Sequence, residues 1–108
     1  MTKICYKNKD FLNKEMLYVM EWKFKTGPDY LATGFRKFLS TGAPFPEGAT
    51  VHGRYHAPGS AKGWIVVETE NISALYEHAA EWGELLEWET TPVLTDDQAS
   101  EVASKLFA

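Results

Sequence analysis

His52, Arg54 and His56 stand two residues apart in the run Thr50-Val51-His52-Gly53-Arg54-Tyr55-His56. On a β-strand that spacing puts side chains on one face. Two imidazoles on one face suggest a metal site, but the strand rise opposes it. Four residues span roughly 13 Å, and two ligands each about 2 Å from one zinc ion cannot stand that far apart. No metal and no cofactor are expected. His56 alone is the stronger candidate. It ends the strand beside Ala57-Pro58-Gly59, where an imidazole serves as general acid or base or hydrogen-bonds the turn. Arg54 beside it can hold an anionic or enolate oxygen. The sequence assigns no catalytic residue, and His56 and Arg54 are the candidates. His52 reads as a solvated strand residue and His78 as surface.

Aromatic side chains supply the second signal. They make up 14% of the 108 residues, with four Trp, five Tyr and six Phe. Trp22, Trp64 and Trp88 can line an aromatic pocket or simply pack a core. With Arg54 and His56 they form the expected ligand-binding set. Glu21, Glu87 and Glu89 fall on neighbouring strands, where they either do proton chemistry inside a closed barrel or point to water. Gly59-Ser60-Ala61-Lys62-Gly63 joins two strands, so it is not a phosphate loop. Cys5 has no histidine near it in sequence and rules out an internal disulfide, which fits a reducing, cytoplasmic location.

These residues need elements to position them. The chain is long enough for one domain. Residues 1–15 are polar without an apolar period and read as a flexible leader, or as an arm using Phe11 and Leu12. They lack a secretory h-region. From Met16 to Phe24 the even positions are all apolar, the two-residue period of a strand. Thr26-Gly27-Pro28-Asp29 opens a helix with a stripe of Leu31, Phe35, Phe38 and Leu39. A Gly/Pro-rich loop follows, then a strand at Thr50–His56, a turn, and a strand at Trp64–Thr69. A second helix, capped by Asn71 or Ser73, carries Ile72, Leu75, Ala79 and Trp82, with Gly83 as its left-handed end. A fourth strand runs from Leu85 to Thr91 and ends at Pro92. Thr95-Asp96-Asp97-Gln98 has the form of a capping box. It opens a last helix with Ala99, Val102, Ala103, Leu106 and Phe107 on one side. This order, βαββαβ plus a helix, predicts an α+β ferredoxin-like split-βαβ fold over residues 16–108 with strand order 4-1-3-2.

Two helices cover only one face of such a sheet. The other looks apolar as well, with Leu17 and Val19 on the first strand, Trp64 and Val66 on the third, and Leu86 and Trp88 on the fourth. One short helix is too little to cover it, so a homodimer through the sheet is expected. The net charge is −4. Lys3, Lys7, Lys9 and Lys14 lie in the leader, so the body is the more acidic part. That excludes the basic footprint of a nucleic-acid binder and argues against adhesion to anionic membrane. No apolar run reaches membrane-spanning length.

The segments Gly53-Arg54-Tyr55-His56-Ala57-Pro58-Gly59-Ser60, Gly63-Trp64 with Val67-Glu68, and Trp82-Gly83-Glu84-Leu85-Leu86-Glu87-Trp88-Glu89-Thr90-Thr91-Pro92-Val93-Leu94 resemble a family of small bacterial proteins catalogued as a domain of unknown function. The resemblance covers residues 16 to about 100 and implies kinship with the dimeric α/β-barrel group. That group includes cofactor-independent monooxygenases, lactone isomerases, dehydratases, haem-degrading enzymes and regulatory ligand-binding modules. It implies a fold and carries over no catalytic residue. Three functions then stand side by side. One is a dimeric small-molecule-binding or regulatory module. Another is a cofactor-independent enzyme, monooxygenase- or isomerase-like, using His56 as acid or base. The third is a structural dimer that binds a protein through its leader or last helix.

Overall fold

The computed structural model describes residues 15–108. The expected leader, with Cys5, Phe11 and Leu12, lies outside the described residues except for Glu15. The elements are β1 (Met16–Phe24), α1 (Tyr30–Thr41), β2 (Ala49–Ala57), β3 (Lys62–Thr69), α2 (Ser73–Glu81), β4 (Leu86–Val93) and α3 (Asp96–Phe107). The strands form one sheet in the order β2-β3-β1-β4, every neighbouring pair antiparallel. This is the ferredoxin-like α+β fold with one added helix, as the element order implied.

The core follows from strand alternation. Tyr18, Met20, Trp22 and Phe24 of β1 and Ile65, Val67 and Thr69 of β3 are buried toward α1 and α2. Each large apolar side chain fully removed from water contributes about 1.5–3 kcal/mol. Met20 and Val67, at the sheet centre, have no exposed surface.

Four local expectations need correction. Gly83 is absent from the positive-φ glycines, which are Gly27, Gly42, Gly48 and Gly59. The end of α2 is instead closed by the Trp82 carbonyl, which accepts from the amides of both Leu85 and Leu86. Pro92 does not end β4 but pairs with Tyr18. An edge strand tolerates proline because one of its sides needs no amide donor. Leu86 and Trp88 lie opposite Phe24 and Trp22, so they belong to the helix-covered face and not to the second one. The stripe on α1 is turned: Leu31 and Leu39 are exposed, and the buried residue of the helix is Gly34.

The largest correction concerns β2. Val51 pairs with Val67 and Gly53 with the adjacent Val66, which leaves His52 as an extra residue, a β-bulge. A bulge breaks the two-residue period. Arg54 and His56 fall opposite Ile65 and Gly63 on the helix-covered face. His52 turns to the other side, where its Nε2 lies 2.8 Å from Glu68 Oε1. The two histidines are therefore separated by the sheet itself, a stronger barrier to a shared metal than strand rise.

One cross-sheet row sets the shape of the covered face. It runs Trp88, Trp22, Gly63, His56 across β4, β1, β3 and β2. Gly63 has no side chain, so the Trp22 indole spreads over it and meets the His56 ring edge-on at 5.1 Å. A Cβ at Gly63 would run into the Tyr55 carbonyl and the Trp22 indole. Alanine is normally the better strand residue by about 0.5–1 kcal/mol, but overpacking a fixed backbone costs about 1–3 kcal/mol. Gly63→Ala is predicted to lower the unfolding free energy by about 1–2 kcal/mol, measured by urea denaturation. An unchanged or raised value would contradict the row.

Candidate functional site

The helix layer does not seal the sheet. α1 comes closest at Gly34, where the Phe24 ring lies against the helix and leaves no room for a Cβ. Beyond that point Phe35 and Phe38 hang over the strands. They border a cavity of about 40 Å³ that opens to solvent. The enclosed part is well below the about 300–1,000 Å³ of a typical small-molecule site, and the cleft around it is open. Its walls are aromatic: Trp22 and Phe24 from β1, Phe35 and Phe38 from α1, Trp82 after α2 and Trp88 from β4. Lys37 ties the two helices together beside Trp82. Its Nζ donates to the Glu81 carbonyl at 2.6 Å and stands 4.6 Å from the Trp82 ring centre. A cation at the last turn of α2 also suits the helix dipole.

The polar groups inside are few. Arg54 is half-buried, donates from Nη2 to the Ala43 carbonyl at 2.8 Å, and lies 5.7 Å from the Phe38 ring centre. Burial pushes its pKa below the usual arginine value, which leaves the guanidinium charged at neutral pH. Neither ion pair among the described residues includes it. Ala43 is the strained point of the loop, with φ at 47°. Its amide is held by Thr41 Oγ1 at 3.0 Å while its carbonyl takes the Arg54 bond. His56 sits exposed at the mouth, with its ring near Trp22, Phe35 and Phe38.

His78 overturns its expected surface position. It is 1% exposed. Its ring stacks on Phe45 with centres 3.7 Å apart and planes 11° from parallel. It meets Trp88 edge to face at 5.7 Å and 74°. Its pKa falls to about 4, first by desolvation, then by the charge of Arg54 and more weakly of Lys37, against an opposing pull from the Pro44 carbonyl. The imidazole is therefore neutral at pH 7. A signal was present in the sequence: His78 follows Leu75 by three residues and precedes Trp82 by four, which puts it on the buried stripe. Two buried polar atoms lack a hydrogen-bond partner among the described residues, His78 Nδ1 and Trp88 Nε1. Both residues line the cavity.

Of the expected ligand-binding set, Trp22, Arg54, His56 and Trp88 come together here. Trp64 does not. It pairs with Glu21 and Tyr55 and points to the opposite face, because β3 alternates and Ile65 takes the covered side. Glu21, Glu87 and Glu89 also lie away from the cavity. Glu21 is 4.0 Å from Lys62 Nζ. Among the described residues no three His, Cys, Asp or Glu side chains gather as a metal site.

A family model described as a domain of unknown function, DUF3303, matches residues 16–107. No curated protein matches the sequence. The chain is similar to the crystal structure of SnoaB, a cofactor-independent oxygenase from Streptomyces nogalater. The identity is 14% and the TM-score 0.45, over 76% of this chain and 93% of that one.

The depressed His78 pKa makes stability depend on acid. Above the unfolded value of 6.5 the ring is neutral in both states. As pH falls from there to about 4, the unfolded chain binds a proton that the folded chain refuses, and stability is lost. Each tenfold drop in proton affinity is worth about 1.4 kcal/mol, so the loss is on the order of 3 kcal/mol. His78→Phe, which keeps the stack on Phe45, is predicted to lose that much less unfolding free energy than the native chain between pH 7 and pH 4 in urea titrations. Parallel pH profiles for the two proteins would contradict the buried neutral imidazole.

Proposed function

The chain belongs to the family of the domain of unknown function DUF3303, a membership that brings no activity, and from that premise we propose that it is a small-molecule-binding module. The ligand lies in the cleft between α1, α2 and the sheet. One observation carries this reading: two buried polar nitrogens, His78 Nδ1 and Trp88 Nε1, have no hydrogen-bond partner among the described residues, in an otherwise aromatic cleft. Leaving a buried donor or acceptor unpaired costs about 1–3 kcal/mol. A polar atom of a ligand removes that cost, and the aromatic walls take up its apolar part. The test is a ¹H–¹⁵N spectrum of the indole Nε1–H groups during addition of indole, cyclohexanol or benzoate at millimolar concentration. The expected result is movement of the Trp88 and Trp22 signals with Trp64, on the far face, as the unmoved control. Still Trp88 and Trp22 signals with all three probes would overturn the reading.

The module is proposed to work as a homodimer through its second sheet face. Among the described residues the helix beside this face is α3, where Thr95 and Gln98 at its start lie by Leu17 and Val66, and Leu17, Val19, Trp64 and Val66 each remain half-buried. α3 leaves the sheet beside them. It is well capped, with Thr95 Oγ1 accepting from the Gln98 amide and Gln98 Oε1 accepting from the Thr95 amide. Yet it buries no residue and exposes Val102, Leu106 and Phe107. The face carries both signs of charge, Glu21, Glu87 and Glu89 with Lys23 and Lys62, so a second copy rotated by a two-fold axis can match it. Light scattering at tens of micromolar is predicted to give twice the 12.2 kDa chain mass, falling to the single mass in Val66→Glu. A native mass of one chain would overturn the dimer.

A further inference from the structure

The polar groups of the cleft define more than a place for some small molecule. Among the described residues, no Asp or Glu lines it. Arg54 has one donor on the Ala43 carbonyl, and a guanidinium carries five. Lys37 adds positive charge nearby, its Nζ on the Glu81 carbonyl and 4.6 Å from the ring centre of Trp82, which lines the cleft. The cleft of an acidic protein is thus locally basic, and Arg54 offers the fork that suits a carboxylate. At the opposite side the Trp88 indole can only donate. His78 Nδ1 either donates or accepts, according to the tautomer. One kind of atom satisfies the indole and both tautomers: a hydroxyl oxygen, which accepts and donates together. Between these two ends the walls are flat rings.

The two groups come from opposite edges of the sheet. Arg54 is on β2 and Trp88 on β4, the two edges of a four-stranded sheet. Three strand spacings separate their backbones by roughly 14 Å, but the side chains reach inward, Arg54 as far as the Ala43 carbonyl, from where its charge acts on His78. A single small ring that carries an acid and a hydroxyl group can bridge them.

We propose that the cleft takes a planar hydroxylated aromatic acid, with its carboxylate on Arg54, its hydroxyl between Trp88 Nε1 and His78 Nδ1, and its ring among Trp22, Phe35 and Phe38. The proposal rests on the cleft being a small-molecule site. It adds the class of ligand, and with it the roles of Arg54 and His78. His78 is here a positioning and recognition group held in place by its stack on Phe45.

The test uses the full chain and three probes in titration calorimetry: 4-hydroxybenzoate, benzoate and phenol. The expected result is that 4-hydroxybenzoate binds at least tenfold tighter than either partial probe. Trp88→Phe is expected to abolish its advantage over benzoate. Arg54→Gln is expected to abolish its advantage over phenol, and Arg54→Lys to restore only part of it. The native-chain comparison stands by itself if a variant fails to fold. Equal affinity for the three probes, or tighter binding of phenol, overturns the ligand class. So does a lack of heat with all three while indole still moves the Trp88 signal, and in each such case the cleft remains a binding site. Loss of every Trp88 response, to indole as to the acids, is the distinct result that removes the underlying reading.

Discussion

The covered face of this sheet is organised by a missing side chain. Gly63 lies between Trp22 and His56 in one cross-strand row, and because it is glycine the Trp22 indole lies across β3 instead of standing off it. Trp22 then reaches the His56 ring on one side and the Phe24 ring on the other, at 5.1 and 5.8 Å. A layer of large rings cannot be closed by a helix as a layer of Val and Ile can. α1 touches down where it offers only a glycine, at Gly34 over Phe24, and elsewhere it meets the sheet through the rings of Tyr30, Phe35 and Phe38. The cavity is what remains between ring-bearing strands and a helix that packs on them mainly through rings. Lys37, bonded to the Glu81 carbonyl, keeps α1 and α2 together beside Trp82.

Much of this is legible in the sequence, for physical reasons that can be named. The period of β1 is unbroken from Tyr18 to Phe24, so its buried face can be read directly. The capping box at Thr95 and Gln98 is a local device and forms as its spacing requires. The strand order follows from element order and crossover handedness. Where sequence and structure part, a non-local contact or an inserted residue has changed the rule. The bulge at His52 shifts the parity of β2 by one, and nothing in Val51-His52-Gly53 announces it beyond a glycine. Pro92 continues β4 only because that strand is an edge. Residue type alone points Trp64 to the pocket, and strand parity places it on the opposite face.

His78 is the most instructive of these. Histidine on a helix is usually a surface residue, and residue type suggests the same here. Position is the better guide, since the ring sits on the stripe of Leu75 and Trp82. What the sequence does not reveal is the loop that covers it. Gly42 and Ala43 both take left-handed backbone, and that pair of turns carries Phe45 onto the imidazole face. Arg54 holds the same loop by the Ala43 carbonyl. One cation thus fixes the cover, adds to the effect of burial in depressing the imidazole, and charges the cleft. The protein carries −4 overall, so this basic interior is a local arrangement set against its acidic body.

The central claim is that the unpartnered nitrogens of Trp88 and His78 belong to a site that expects an oxygen atom. A crystal structure of the unliganded protein at a resolution that shows ordered water tests it most directly. The predicted result is a bound oxygen, from water or a captured solute, within hydrogen-bonding distance of Trp88 Nε1 and His78 Nδ1, with the aromatic walls open around it. A dry, closed cleft in which both nitrogens find partners in the protein would contradict it.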